Sequence, residues 1–139
     1  VHASEATSRK IGIGFASSYH DNGMTRLEFE KIVMEAVERL PEPIRARLEN
    51  VEFIVAESPH RRQSGLGELY GLYEGTPFPD RGPDYQMAMP DRITIFKRAI
   101  ERDCATRDEM IQCIQDTVVH EVGHFLGLDD EELEARGLG

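Results

Sequence analysis

The segment from Thr106 to Gly127 constrains the fold of this 139-residue chain more than any other. Thr106 and Glu109 form a capping box, in which a hydroxyl and a carboxylate satisfy two amides that lack partners at a helix start. Apolar residues then recur at helical spacing, at Met110, Ile111, Ile114, Val118, Val122 and Phe125. Gly127 follows, where glycine commonly supplies the left-handed residue that closes a helix. We therefore predict a long, buried helix that ends near Leu126.

The other elements predicted from the sequence are shorter. A second capping box, Thr25 to Glu28, predicts an amphipathic helix over residues 26–40, which Pro41 ends. Segments rich in β-forming residues predict three strands, at 51–55, 69–73 and 92–96. Residues 75–89 contain repeated Gly and Pro, and we expect them to form a long irregular connection.

The length of the chain corresponds to one domain, at roughly 150 residues per domain. The first 23 residues differ from the rest, because they are rich in Ser, Ala and Gly. Their apolar run, Ile11–Phe15, is too short and too rich in glycine for the hydrophobic region of a signal peptide. We expect residues 1–23 to be a flexible leader and residues 24–139 to be a single domain.

Charge and composition exclude several classes of protein. Acidic residues outnumber basic ones by 26 to 16, and the resulting net charge of −10 repels a phosphate backbone and argues against nucleic-acid binding. No apolar run approaches the roughly 18 residues of a membrane span. Cys104 and Cys113 are too few for a disulfide scaffold, so we expect buried thiols in a cytoplasmic protein. A disulfide between them is the alternative.

The motif that carries chemistry is His120-Glu121-Val122-Gly123-His124, inside the long predicted helix. Residues four apart lie one turn apart on the same helix face, so two imidazoles there can bind one zinc ion at about 2.0–2.1 Å each. Glu121 lies one step around the helix, where its carboxylate can take a proton from water as a general base. The motif therefore predicts one zinc ion per chain.

The third zinc ligand is expected beyond Gly127, because glycine allows a sharp turn that brings the chain back towards the metal. Asp130 stands three residues after Gly127 and completes the pattern HExxHxxGxxD. Asp129 is the alternative ligand, Glu131 and Glu132 are weaker candidates, and the spacing favours Asp130. The run Asp129–Glu134 holds five acids in six residues, which is otherwise typical of a solvated face.

This extended motif resembles that of the zincin metallopeptidases, with Asp130 where metzincins have a third His. Segments 71–77, 90–96 and 119–130 also follow the order seen in small bacterial proteins described as minimal zincins. The resemblance implies an α+β fold, with a short mixed sheet packed on helices and the HExxH helix near the C-terminus. It implies zinc on His120, His124 and Asp130. It also implies that Glu121 is catalytic. The Met-containing turn of metzincins has no counterpart in the nine residues after Asp130.

The predicted function is zinc-dependent hydrolysis of peptide bonds in a peptide or protein substrate. In zincins an extended substrate pairs with the edge strand of the sheet, and the 69–73 segment is the candidate strand here. Tyr73 and Tyr85 are candidate donors to the oxyanion. Two alternatives remain: a metal-binding interaction domain without turnover, and a metal-dependent endoribonuclease. The endoribonucleases with a similar helix have Gly at the position of Glu121 and His as third ligand, so Glu121 and the negative charge argue against RNA.

Overall fold

The structure is a computed structural model that describes residues 2–5, 24–59, 69–85 and 89–137. Its helices and strands in chain order are β1 (His2–Glu5), α1 (Arg26–Glu38), α2 (Glu42–Arg45), β2 (Val51–Ala56), β3 (Leu69–Glu74), β4 (Asp91–Phe96), α3 (Lys97–Asp103), α4 (Arg107–Phe125) and α5 (Asp130–Ala135). A short 3-10 helix, Phe78–Asp80, lies in the connection between β3 and β4.

The two main helices begin where the capping boxes predict. The hydroxyl of Thr25 accepts a hydrogen bond from the backbone of Glu28 at 3.1 Å, and α1 follows. The hydroxyl of Thr106 accepts from the backbone of Glu109 at 3.1 Å, and α4 follows for 19 residues. Local sequence is enough to specify these starts, since each cap involves residues only three positions apart.

The described strands form one mixed sheet in the order β1-β3-β4-β2. Strands β2 and β4 are parallel, with Val51 opposite Asp91, whereas β3 runs antiparallel to β4. Helix α4 packs against this sheet and against α1. The fold is therefore α+β, a short mixed sheet packed on helices, as the resemblance implied.

Strand β1 lies within the segment that we expected to be a flexible leader. Residues 2–5 pair antiparallel with β3, with Ser4 opposite Gly71. The segment 69–73 is consequently not an edge strand, since both of its edges are paired. Four residues are too few to show a strand periodicity in the sequence, and their partner is more than sixty positions away. Residues 6–23 lie outside the described part of the chain, so for them the leader remains a prediction.

Two helices were also missed. Helix α3 starts directly after β4 without a side-chain cap at Phe96, so no local start signal precedes it. Helix α5 occupies the acidic run, which was interpreted only as a solvated face. Its acids are exposed as expected, but Leu133 is fully buried and makes the run amphipathic.

The core lies between the sheet, α1 and α4. It includes the fully buried residues Phe29, Tyr73, Ile93, Ile95, Met110, Ile114, Val118 and Phe125. Cys104 and Cys113 belong to it as buried thiols, rather than as a disulfide. Among the helices of the described ranges, none has the length and apolar character that a bilayer crossing needs.

A buried polar network fixes the connection between β3 and β4. Asp91 accepts hydrogen bonds from the hydroxyl of Tyr73 at 2.6 Å and from the backbone of Thr76 at 3.2 Å. Its carboxylate also lies 2.9 Å from the guanidinium of Arg81, and both side chains are more than 90% buried. Arg81 donates further to the carbonyls of Thr76 and Glu49, at 3.1 and 2.7 Å. The network thus joins the ends of two strands to the long connection.

We predict that Asp91→Ala lowers the free energy of unfolding by about 3–5 kcal/mol, because it leaves the Arg81 cation buried without its anion. Urea denaturation measures the change. The control is Asp84→Ala, which removes an exposed carboxylate from the same connection and is expected to stay within about 0.5 kcal/mol of wild type. Equal stability of the two variants would contradict the assigned role of Asp91.

Candidate metal centre

Helix α4 brings His120 and His124 together, as their spacing predicts. The two rings are edge to face, with centroids 4.6 Å apart. The side chain of His124 is 1% exposed and that of His120 is 13% exposed. The pair therefore lies at the boundary between the core and solvent, where an ion could reach the exposed side of His120.

The backbone carbonyl of Leu128 sets the tautomer of His124. Nδ1 of His124 lies 2.9 Å from this carbonyl oxygen, which can only accept, so the ring carries a proton on Nδ1. In the neutral imidazole Nε2 then holds a lone pair. When a histidine binds a metal through one ring nitrogen, a hydrogen bond from its other ring nitrogen to a backbone carbonyl commonly orients the ring.

A tight turn after α4 returns the chain towards the histidines. Gly127 has φ +93°, a left-handed conformation that side chains disfavour, and its amide donates to the carbonyl of His124 at 2.9 Å. The amide of Leu128 donates to the carbonyl of Gly123 at 3.0 Å. Pro79 packs over the turn, since a Cβ on Gly127 would lie 2.8 Å from its ring. The turn predicted from Gly127 is thus formed, and it leads directly into α5.

The two candidate third ligands have different roles in the structure. Asp129 is the N-cap of α5: its carboxylate accepts from the amide of Glu132 at 2.8 Å, and Glu132 accepts from the amide of Asp129 at 3.1 Å. Asp130 is instead directed at the histidines. This capping box, Asp-x-x-Glu, was a sequence signal that could have separated the two residues and located α5.

Packing between α4 and α5 holds Asp130 in place. A Cβ on Gly123 would lie 2.4 Å from Leu133 Cδ2, so only glycine allows this close approach. Gly123 lies within the HExxH motif, between Glu121 and His124, and Leu133 lies one turn after Asp130. No role was predicted for either residue from the sequence.

The ligand atoms of His120, His124 and Asp130 form the cluster that could hold a metal ion, and all lie within 4.8 Å of one another. Oδ1 of Asp130 is 3.2 Å from Nε2 of His120 and 3.0 Å from Nε2 of His124. Two ligands that are each about 2.0 Å from a tetrahedral zinc ion lie roughly 3.3 Å apart. Two nitrogens and one carboxylate oxygen also match the donors that zinc prefers. The residues present therefore fit a zinc ion.

Glu121 is fully buried where α4 crosses β3. A Cβ on Gly71 would lie 3.1 Å from Cγ of Glu121 and 2.7 Å from Cγ2 of Thr117, which lies one helical turn earlier. The β3 backbone therefore passes directly beside the side chain that the motif assigns as general base.

The structure does not make the hydroxyl of Tyr73 available to an oxyanion. The hydroxyl of Tyr73 is buried and donates to Asp91 at 2.6 Å. Burial, and then this bond to Asp91, raise the pKa of Tyr73, so it stays protonated as a structural donor. The hydroxyl of Tyr85 accepts from Asn50 at 3.0 Å, and its ring lies under Arg81. Both hydroxyls form hydrogen bonds with residues distant in the sequence, so the sequence alone could not predict these contacts.

Comparison with known proteins agrees with this geometry. The family described as Zincin-like metallopeptidase matches residues 48–139, which is more than half of the chain. The matched segment contains β2, β3 and β4, the whole of α4 and α5, and every candidate site residue. No curated protein matches the chain significantly. The chain belongs to the zincin-like metallopeptidase family.

Proposed function

We propose that this protein is a zinc-dependent metallopeptidase, with zinc held by His120, His124 and Asp130 and with Glu121 as general base. The observation that carries the proposal is the position of Asp130. Its Oδ1 lies 3.0 Å from Nε2 of His124, whose proton is on the other ring nitrogen. This distance is close to the roughly 3.3 Å expected between two ligands that share one zinc ion, so it supports a cation site.

Bound zinc would polarise the scissile carbonyl and lower the pKa of the attacking water. The charge of Asp130 balances one of the two positive charges, while the histidines remain neutral ligands. The carbonyl of Leu128 supports the site because it holds a proton of His124 on Nδ1, the ring nitrogen that faces away from the proposed metal.

In this proposal Glu121 transfers protons and is not a metal ligand. Its carboxylate takes a proton from the attacking water and delivers it to the nitrogen of the leaving amine. The side chain is fully buried against β3, so the packing restricts the directions in which it can point. We assign it as base because it directly follows His120 in the sequence and is not part of the candidate ligand cluster.

A peptide is the substrate class that the charge distribution favours. The net charge is −10, and the acids of α5 that border the candidate centre are exposed. A phosphodiester chain would meet like charge there, whereas a peptide backbone is neutral. A peptide that adds to the outer edge of β3 must displace β1, which pairs with that edge. We also propose a cytoplasmic location, in keeping with two buried thiols.

We predict one zinc ion per purified chain, measured by elemental analysis. His120→Ala and His124→Ala are each expected to abolish tight binding. Asp130→Ala is expected to weaken zinc affinity by more than the roughly 10–100-fold that residues orienting a ligand contribute.

The matched control for Asp130 is Asp129→Ala, because the two carboxylates are adjacent and both are exposed. This variant loses a helix cap, at about 1 kcal/mol of stability, and should keep most of its zinc affinity. If Asp129→Ala loses more zinc than Asp130→Ala, the third ligand is reassigned.

We predict that Glu121→Gln retains one zinc ion per chain and loses hydrolytic activity by about 10²–10⁴-fold, since the amide has nearly the same shape but cannot accept a proton. Cleavage of a peptide library and elemental analysis of the same preparations measure both properties. Activity equal to wild type would show that the base lies elsewhere.

We predict that the zinc-loaded protein cleaves unstructured peptides and leaves single-stranded RNA intact. The assay includes the full chain and a chain lacking residues 1–5, so that displacement of β1 does not limit the result. RNA cleavage that disappears in Glu121→Gln, with every peptide intact, would favour the endoribonuclease alternative. Zinc binding without cleavage of either polymer would favour a domain without turnover.

A further inference from the structure

We propose that Gly71 is a positioning residue for Glu121. The inference rests on the proposed function of Glu121 as the base and extends it to a residue on a different element. By lacking a Cβ, Gly71 allows the β3 backbone to lie against the Glu121 side chain and so leaves its carboxylate in the position that catalysis requires.

The distances show how little space is available at this crossing. A Cβ on Gly71 would be 2.7 Å from Thr117 Cγ2, 3.1 Å from Glu121 Cγ and 3.2 Å from the carbonyl oxygen of Thr94. The first distance is shorter than real contacts of this kind, so a neighbour would have to move. The second requires Glu121 to move by a few tenths of an ångström.

Strand β3 cannot easily withdraw to make this space. Tyr70, on one side of Gly71, donates to Asp103 at 2.7 Å, and Tyr73, on the other side, donates to Asp91 at 2.6 Å. Gly71 is also paired with Ile95 on β4. Because the strand is held at both ends and along both edges, an added methyl group would displace side chains of α4.

Of the two α4 side chains, Thr117 is the shorter and is held by a hydrogen bond. Its hydroxyl donates to the carbonyl of Cys113 at 2.7 Å, which fixes its rotamer, and it is 3% exposed. Glu121 has a longer side chain with more rotatable bonds. We therefore expect displacement at position 71 to be passed to the Glu121 carboxylate.

The test separates packing from positioning with two substitutions. Gly71→Ala introduces the methyl group, and Thr117→Ser removes the nearest atom it would meet while it keeps the hydroxyl bonded to Cys113. In the double variant the close contact with Thr117 is gone, but the contacts with Glu121 and with the carbonyl oxygen of Thr94 remain. Gly82→Ala is the matched control, because a Cβ there meets nothing within 4 Å.

We expect Gly71→Ala to lower both Tm and kcat, with one zinc ion retained per chain. In the double variant Tm should return close to that of Thr117→Ser, whereas kcat stays about tenfold lower and KM changes less than about threefold. The expected loss in kcat is smaller than the roughly 10²-fold cost of a 1 Å misplacement, because Glu121 moves by only a few tenths of an ångström. Recovery of kcat together with Tm would overturn the proposal, as would a Gly71→Ala variant that behaves like Gly82→Ala.

A second measurement does not depend on turnover. Acetohydroxamate chelates a metal and gives its proton to a neighbouring base, so its affinity for the zinc-loaded protein reports the position of Glu121. Calorimetry should show weaker binding in Glu121→Gln and a comparable loss in the double variant. Affinity in the double variant equal to that of Thr117→Ser would overturn the proposal, and so would unchanged affinity in Glu121→Gln.

These measurements also separate the two proposals. A wild-type protein that binds acetohydroxamate in a manner dependent on Gly71 and Glu121, but cleaves no peptide, would refute the peptidase function and support the positioning role. A wild-type protein that cleaves peptides, with kcat unaffected by Gly71→Ala, would support the peptidase function and refute the positioning role.

Discussion

One close approach organises the candidate centre: a carboxylate oxygen of Asp130 lies 3.0 Å from Nε2 of His124. The other ring nitrogen of His124 donates to the carbonyl of Leu128. The separation of the two atoms fits ligands that share one cation, and the backbone on both sides is held by the fold. Helix α4 is anchored in the core, and α5 is held by its own capping box and by Leu133 against Gly123. The fold therefore restricts the positions of these side chains, which is the condition for a precise metal site.

The connection between β3 and β4 supports the same region from another side. Arg81 pairs with Asp91, and its guanidinium lies 5.0 Å from the ring centroid of Phe125, the residue after His124. Pro79 packs on the Gly127 turn that leads to Asp130. A buried ion pair often adds little net stability, because desolvation of both charges opposes their attraction. What it provides here is a defined geometry that ties the ends of two strands to the C-terminal end of α4.

Strand β1 changes what the sheet offers to a substrate. An open strand edge invites pairing with other chains, and residues 2–5 cover the outer edge of β3. Ser4 is paired with Gly71, the strand residue beside Glu121. The segment that covers the edge therefore passes close to the proposed base, and a peptide that uses this edge must compete with it.

The sequence by itself determined the elements whose causes are local. The starts of α1 and α4 follow from hydroxyl caps three residues from their partners, and the pairing of His120 with His124 follows from one turn of helix. Strands β2, β3 and β4 were located from their β-forming residues to within one residue at either end. Only the tertiary structure decided which neighbouring acid faces the histidines, because Asp129 and Asp130 have nearly the same spacing from Gly127. It also decided that Tyr73 is a structural donor and that Gly71 adjoins Glu121, because both depend on contacts with residues far away in the chain. A local pattern records propensities and periodicity, whereas the space left beside a side chain is set by whichever distant element packs against it.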